Sequence, residues 1–536
     1  TVVNRYLTQP TGVLTETKNI LLQNIALIVG AAILSGLFTF TMRQTIINVS
    51  RFIEFDLKNE IYQHYQRLSL NFYKNNRTGD LMNRISEDVS KVRMYFGPAL
   101  MYSINTVSLF VIVISYMISV APTLTLYALT PLPLLSLAIY QLSRSIHKRS
   151  TIVQEYLSKL SAFAQEMFSG IGVIKANAIE PTVNQKMGSL ALVSMSKNMH
   201  LVQVQAWFFP LMILLIGLSN ILVIFIGGRQ FINGQIELGT LAEFIIYINM
   251  LTWPVATVGW VTSIVQQAEA SQKRINEFLG QEPEIVNPKN GKALQSYSIE
   301  FENVSFSYDD AREEAVKEVS FQLESGKTLA ILGRTGCGKT TLLQLITRMY
   351  DVSSGAVRVG DIDVRELDLK ILRDNIGAVP QEAFLFSDTL ENNIRFGKAE
   401  TTKTEVENAA KQAAVHNSIM NFSKGYQTVI GERGVSLSGG QKQRMSIARA
   451  LIKQPKILLF DDSFSAVDTQ TEETILNNLK SMPFQSTTIV VCHRISSAKN
   501  ADQILVMDEG RVVQFGTHEA LVDEPGYYAE LCKKQL

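Results

Sequence analysis

Leu329-Ala330-Ile331-Leu332-Gly333-Arg334-Thr335-Gly336-Cys337-Gly338-Lys339-Thr340-Thr341 is the stretch that decides the fold of the second half of this chain. Four apolar residues make a short buried strand, a loop carrying three glycines follows, and the pattern predicts a helix over Thr341–Thr347. Glycines let backbone N–H groups curl around phosphates, a lysine at position 339 reaches the β- and γ-phosphates, and the hydroxyl of Thr340 can hold Mg²⁺. Strand, loop and helix in this order make a phosphate-binding loop.

Outward from this loop, strands alternate with helices. Ser298–Phe306 alternates apolar and polar, and Ile457–Phe460 and Thr488–Val491 are short buried strands, which predicts an α/β domain over residues 298–536. Residues 281–297, with Glu282-Pro283 and the polar run Asn287–Ser296, read as a linker. The strand Ile457–Phe460 ends in Asp461-Asp462, which places Asp461 beside the phosphate loop, where a carboxylate orients Mg²⁺ and its waters. Leu437-Ser438-Gly439-Gly440-Gln441 precedes a helix expected over Lys442–Ile452. Exposed N–H groups and the helix dipole make that N-terminus a second anion site.

The loop (Walker A), Leu437–Gln441 (LSGGQ) and Ile457–Asp462 (Walker B), in this order and spacing, resemble the ATP-binding cassette ATPases over about residues 298–536. The resemblance implies ATP and Mg²⁺ as cofactors. Gly333, Arg334, Thr335, Gly336, Cys337, Gly338, Lys339, Thr340 and Thr341 would hold the nucleotide, with Tyr308 of Phe306-Ser307-Tyr308 stacked on adenine. Thr340, Gln381 and Asp461 would serve Mg²⁺. Gln381, His493 and Asp462 would be catalytic, His493 as the switch near the γ-phosphate and Asp462 where members usually carry a Glu base. By itself each would be bland, since a lone Tyr or His is more often packing than chemistry. Members often carry Ser at the position of Cys337, and a thiol at a helix N-terminus is expected to be nucleophilic. One cassette per chain implies a dimer, in which LSGGQ of one copy closes over the ATP held by Walker A of the other.

The region before about residue 270 has a different texture. Mean hydropathy is +0.11 although 18% of residues are charged, because long apolar runs are confined to this half. A membrane span needs about 20 mostly apolar residues. Five stretches qualify, at about 20–42, 101–120, 124–140, 207–228 and 241–265, within a transmembrane domain of 1–280. Arg43 to Arg93 between the first two and Arg144 to Lys197 between the third and fourth are rich in Lys and Arg, whereas Ser119–Thr123 has none. The positive-inside rule puts both long basic stretches in the cytoplasm. Ile61, Leu68, Phe72 and Leu81 recur among charges, as in helices that continue beyond the bilayer.

This half resembles the exporter branch of the same family, the type IV fold. Phe72-Tyr73 with Arg77–Arg84 and Gly170–Glu180 are similar to its two coupling-helix regions, and Gly431-Glu432-Arg433-Gly434 to the loop that senses them. Exporter halves usually have six spans, so a first span is expected upstream of Thr1. No signal peptide is legible at the start.

The architecture expected is therefore an all-α transmembrane domain followed by an α/β P-loop nucleotide-binding domain. The function expected is a half-transporter subunit that dimerises, as a homodimer or heterodimer, and uses ATP hydrolysis to move an amphipathic or hydrophobic cargo (lipid, drug or peptide) out of the cytoplasm or inner leaflet. Alternatives are an ABC-type channel or channel regulator, and the degenerate-site subunit of a heterodimeric exporter. Partners are the second half-transporter and the lipid bilayer of a bacterial inner (plasma) membrane, with the ATP-binding domain in the cytoplasm. A net charge of +1 gives no basic patch for nucleic acid. Cys337, Cys492 and Cys532 match no zinc or disulfide spacing, which suits a reducing compartment.

Overall fold

The structure is a computed structural model that describes residues 14–431, 437–481 and 485–535. The chain divides into two compact units: one holds the segment up to Gln66 and Thr78–Gln281, the other Arg67–Arg77 and Glu282–Leu536.

The first unit is helical. Its elements are α1 (Leu14–Arg67), α3 (Thr78–Val120), α4 (Pro122–Leu129), α5 (Pro131–Ser169), α6 (Ile171–Ala176), α7 (Glu180–Ile232) and α8 (Leu238–Leu279); α2 (Leu70–Asn75) groups with the second unit. Among the described residues four helices are long and apolar enough to cross a membrane, within α1, α3, α7 and α8. Their outer faces stay apolar: Leu27, Ile28 and Ile33 of α1 are each about 70% exposed, the surface that lipid covers. Inside, Val113, Met117, Leu124, Val223, Phe244, Ile248 and Leu251 form a core.

The stretch 124–140 is divided between α4 and α5 at Thr130. Thr130 keeps helical angles (φ −53°, ψ −40°), so the path stays helical, and the interruption comes from Pro131, which has no N–H to donate. The basic stretches are indeed helical extensions: α1 runs unbroken to Arg67 and α5 to Ser169. Three single π-turns, Arg84–Asp88 and Tyr95–Ala99 in α3 and Val223–Gly227 in α7, widen the helices. The first turns Asp88 inward, where it accepts from Ser271 Oγ (2.9 Å) and Arg274 Nε (3.0 Å) of α8 and pairs with a second nitrogen of the same guanidinium.

The second unit carries two sheets. An antiparallel sheet in the order β2-β1-β4-β5 uses β1 (Ile299–Phe306), β2 (Val316–Leu323), β4 (Ser354–Val359) and β5 (Ile362–Asp363). The larger sheet runs β10-β9-β3-β8-β7-β6, with β3 (Thr328–Gly333), β6 (Ile376–Val379), β7 (Ile457–Asp461), β8 (Thr487–Val491), β9 (Gln503–Asp508) and β10 (Arg511–Gly516). Its central strands pair in parallel. Every residue of β7 and β8 is buried, as befits strands covered on both faces. Parallel order aligns the C-terminal ends of β3, β6, β7 and β8 along one edge, where ligands of such sheets bind. Those ends deliver Gly333, Gln381, Asp461-Asp462 and His493.

Candidate functional site

The phosphate loop leaves β3 at Gly333 and enters the helix Lys339–Ile346, two residues earlier than the sequence suggests. Gly338 has φ +98°, and a Cβ there would stand 2.3 Å from the Ala315 carbonyl oxygen, so only glycine closes this turn. Lys339 is buried, and its Nζ donates to the carbonyls of Gly333 (2.8 Å) and Arg334 (2.7 Å). The cation is thus held by carbonyls of the same loop that the sequence marks as the expected phosphate cradle. Arg334, Thr335 and Gly336 are exposed. Cys337, by contrast, is buried with its Sγ 3.7 Å from Lys339 Nζ, so the reactive thiol expected there is shielded from solvent. Cys492 and Cys532 are buried as well, and burial pushes the Cys492 thiol up to about 12.

Thr340 Oγ1 donates to Asp461 Oδ1 at 3.0 Å. Burial pushes the Asp461 carboxyl above the usual carboxylate range. Thr340 and Lys339 act against that shift, and Asp462 adds to it. Asp462 follows with its N–H bonded to the Val491 carbonyl (3.2 Å), its Oδ2 3.5 Å from Gln381 Nε2 and 4.0 Å from His493 Nε2. The structure thus brings Lys339, Thr340, Gln381, Asp461, Asp462 and His493 together at the sheet edge.

Tyr308 reaches the helix Lys339–Ile346 through its hydroxyl, 3.0 Å from Thr341 Oγ1 and 3.0 Å from Gln344 Oε1. Lys74 of α2 lies 4.4 Å from the ring centroid and pairs with Asp310 (2.7 Å), and Asn71 donates to Glu284 (2.9 Å). These α2 contacts escaped sequence reasoning, because more than 230 positions separate Lys74 from Asp310 and no local signal links them.

Leu437–Gln441 stand apart. Ser438 caps the helix Gly439–Leu451 in a reciprocal box: its Oγ accepts from Gln441 N–H (3.3 Å) and its N–H donates to Gln441 Oε1 (3.0 Å). The box starts the helix three residues before the expected Lys442. Ser438 itself is exposed. Gly440 lies so close to the Ala466 carbonyl oxygen that a Cβ would meet it at 2.7 Å. Among the described residues, no hydrogen bond joins Leu437–Gln441 to the phosphate loop. Glu432, Arg433 and Gly434 of the expected sensing loop lie outside the described residues.

A donor set of hydroxyl and carboxylate oxygens suits a hard cation such as Mg²⁺, which takes one or two carboxylates and completes its shell with phosphates and water. Among the described residues there is no cluster of three or more His, Cys, Asp or Glu placed to hold a metal ion.

A helical unit with membrane-crossing helices and a P-loop unit on two sheets define a membrane transporter powered by nucleotide. The family model described as ABC transporter transmembrane region matches residues 3–255, and the one described as ABC transporter matches 316–465. The chain belongs to the ABC transporter family, as an ATP-binding, membrane-spanning exporter. It is 35% identical over 521 residues, 97% of this chain and 88% of the relative, to the multidrug resistance-like ATP-binding protein MdlA of Escherichia coli. It is 35% identical over 90% of its length, and 80% of the relative, to an ATP-dependent lipid A-core flippase of Syntrophus aciditrophicus. The solved structure of a bacterial Atm1-family ABC exporter with ATP bound superposes with a TM-score of 0.81 at 28% identity, covering 98% of this chain and 94% of that one.

Proposed function

We propose that this chain is an ATP-hydrolysing half-transporter that pairs with a second half and exports an amphipathic or hydrophobic cargo across a bacterial inner membrane. The observation that carries the reading is the convergence of Lys339, Thr340, Gln381, Asp461, Asp462 and His493 at one sheet edge. On this reading Gly333–Thr341 wrap the phosphates, Tyr308 flanks the adenine, and Asp462 polarises the attacking water with Gln381 and His493 beside it. Thr340, Asp461 and Gln381 would hold Mg²⁺, which supplies charge neutralisation on the phosphates.

The signature residues support the second half of the proposal. Ser438 is exposed at the N-terminus of the helix Gly439–Leu451, a place where backbone N–H groups and the helix dipole suit an anion. A second copy, or a different half-transporter, brings the ATP they close upon. Closure is driven by the higher affinity of ATP for the joined state. The cargo class rests on membrane helices whose apolar windows carry few charges and on relatives named for multidrug resistance and lipid A transport. Basic helical extensions support a cytoplasmic ATP-binding unit.

Lys339→Ala tests the site. The substitution removes the cation placed to reach the β/γ-phosphates, so hydrolysis should fall to background while the protein stays folded and membrane-inserted. Near-normal hydrolysis would overturn the assignment of the loop.

A further inference from the structure

We propose that Gln443 is a positioning residue that fastens the Gln381 loop to the signature helix, so that engagement of Leu437–Gln441 is felt at the chain's own phosphate site. The inference rests on the site reading above and adds a residue to it. Gln443 lies on the helix Gly439–Leu451, two positions past Gln441, and is 3% exposed. Its Nε2 donates to the Gln381 carbonyl at 2.8 Å and to the Pro380 carbonyl at 3.2 Å. Both acceptors follow β6, where the chain leaves the sheet and the exposed Gln381 side chain turns toward Asp462.

Two features indicate that this glutamine is present for its donors. Gln443 shares its helix face with Ile447, Ala450 and Leu451, all buried, so an apolar side chain would fill the position without the cost of desolvating an amide. Its Oε1 is buried and, among the described residues, has no hydrogen-bond partner. The amide carries that penalty, while both of its N–H groups are spent on two consecutive carbonyls. Further along the same helix Arg449 donates to the carbonyls of Phe384 (2.7 Å) and Asn393 (2.8 Å) and to Asn393 Oδ1 (2.9 Å). One helix thus grips the segment 380–393 near both of its ends. A shift of its N-terminus on meeting a phosphate moves the Gln381 backbone, and Gln381 moves against Asp462.

The test uses the full chain in its purified complex, reconstituted in lipid. Gln443→Met keeps length and apolar volume but removes both donors; Gln443→Leu serves if the methionine variant folds poorly. Either should lower kcat for ATP about tenfold and leave KM for ATP within about twofold. Gln443→Lys restores a donor, as Lys453 on the next turns of the chain already donates to two carbonyls, of Arg373 and Ile376, and should recover most of the rate. In a Gln381→Ala background the methionine substitution should add nothing further, because Gln443 acts through Gln381. Wild-type kcat in Gln443→Met, a lysine variant as slow as the methionine one, or losses that multiply with Gln381→Ala would each overturn the inference. Lys339→Ala runs in parallel. If it is inactive while Gln443→Met is normal, this inference alone fails, and if it hydrolyses normally the site reading itself fails.

Discussion

Asp462 has φ +44°, a left-handed backbone that Asp tolerates better than longer side chains, because its short carboxylate bonds locally. Strain of this kind survives where neighbours over-determine the geometry, here the bond from its N–H to Val491 and the flanking Gln381 and His493. The position usually carries Glu in cassettes that hydrolyse quickly, and Asp is shorter by one methylene, about 1.5 Å. A general base works only within hydrogen-bond reach. Asp462→Glu should therefore raise ATP turnover severalfold and lower the melting temperature slightly, since the longer residue fits the left-handed backbone less well. Asp462→Asn should change turnover little when a competent partner subunit is present. Loss of all activity in the asparagine variant, with no gain in the glutamate one, would mean that Asp462 is already a competent base. Asp461 gives a pH dependence. Its folded pKa is raised by burial, and Mg²⁺ needs the carboxylate, so a bound ion must displace the proton as pH falls toward that value. The half-saturating free Mg²⁺ for ATPase should rise on acidification and return at neutral pH, after correction for Mg²⁺–ATP formation in solution. A flat profile would argue against Asp461 as the Mg²⁺ carboxylate.

At the scale of elements, the π-turn Arg84–Asp88 ties α3 to α8. The extra residue in that turn points Asp88 into the unit, 5% exposed, where Ser271 and Arg274 answer it. Removing one partner of a buried, hydrogen-bonded charge leaves the others unsatisfied. Asp88→Ala should cost roughly 2 kcal/mol of stability, discounted because the Arg274 side chain is half exposed and water can replace part of the pairing. A lowered melting temperature in detergent, with ATP affinity unchanged, is the expected result; an unchanged melting temperature would show the pair to be dispensable. Neither the turn nor the pairing was legible in the sequence. A single π-turn shifts the helical register by one residue and leaves composition and periodicity nearly untouched, and Asp88 and Arg274 are 186 positions apart. The signature helix shows the reverse. Ser438 and Gln441 spell a capping box, a short-range signal that could have set the start at Gly439 rather than Lys442. Gln443 likewise sits in register with Ile447, Ala450 and Leu451, the mark of a polar residue on a buried face.

For the whole molecule, the proposed site is shared between copies, and subunit mixing checks it. Ser438→Asp should keep the helix cap, because Asp caps as well as Ser, while placing a negative charge against the phosphate. Each of Lys339→Ala and Ser438→Asp should be inactive alone. If the chain forms homodimers with crossed sites, a mixed dimer has one site bearing both lesions and one bearing neither, so co-expression should restore part of the ATPase activity. No restoration, with mixed dimers verified by differential tags, would overturn the crossed arrangement.

The sequence by itself determined the two-part architecture and named most residues of the proposed nucleotide site. Long apolar runs need lipid whatever they pack against, and the phosphate loop, Asp461-Asp462 and Leu437–Gln441 are short motifs whose chemistry depends on backbone close by. Tertiary structure alone decided what crosses between elements. It set the burial of Cys337, the left-handed backbone of Asp462, the seat of Lys74 over Tyr308, and the grip of Gln443 on the Gln381 loop. Each of these depends on neighbours brought close by sheet order and helix packing, where spacing along the chain carries no information.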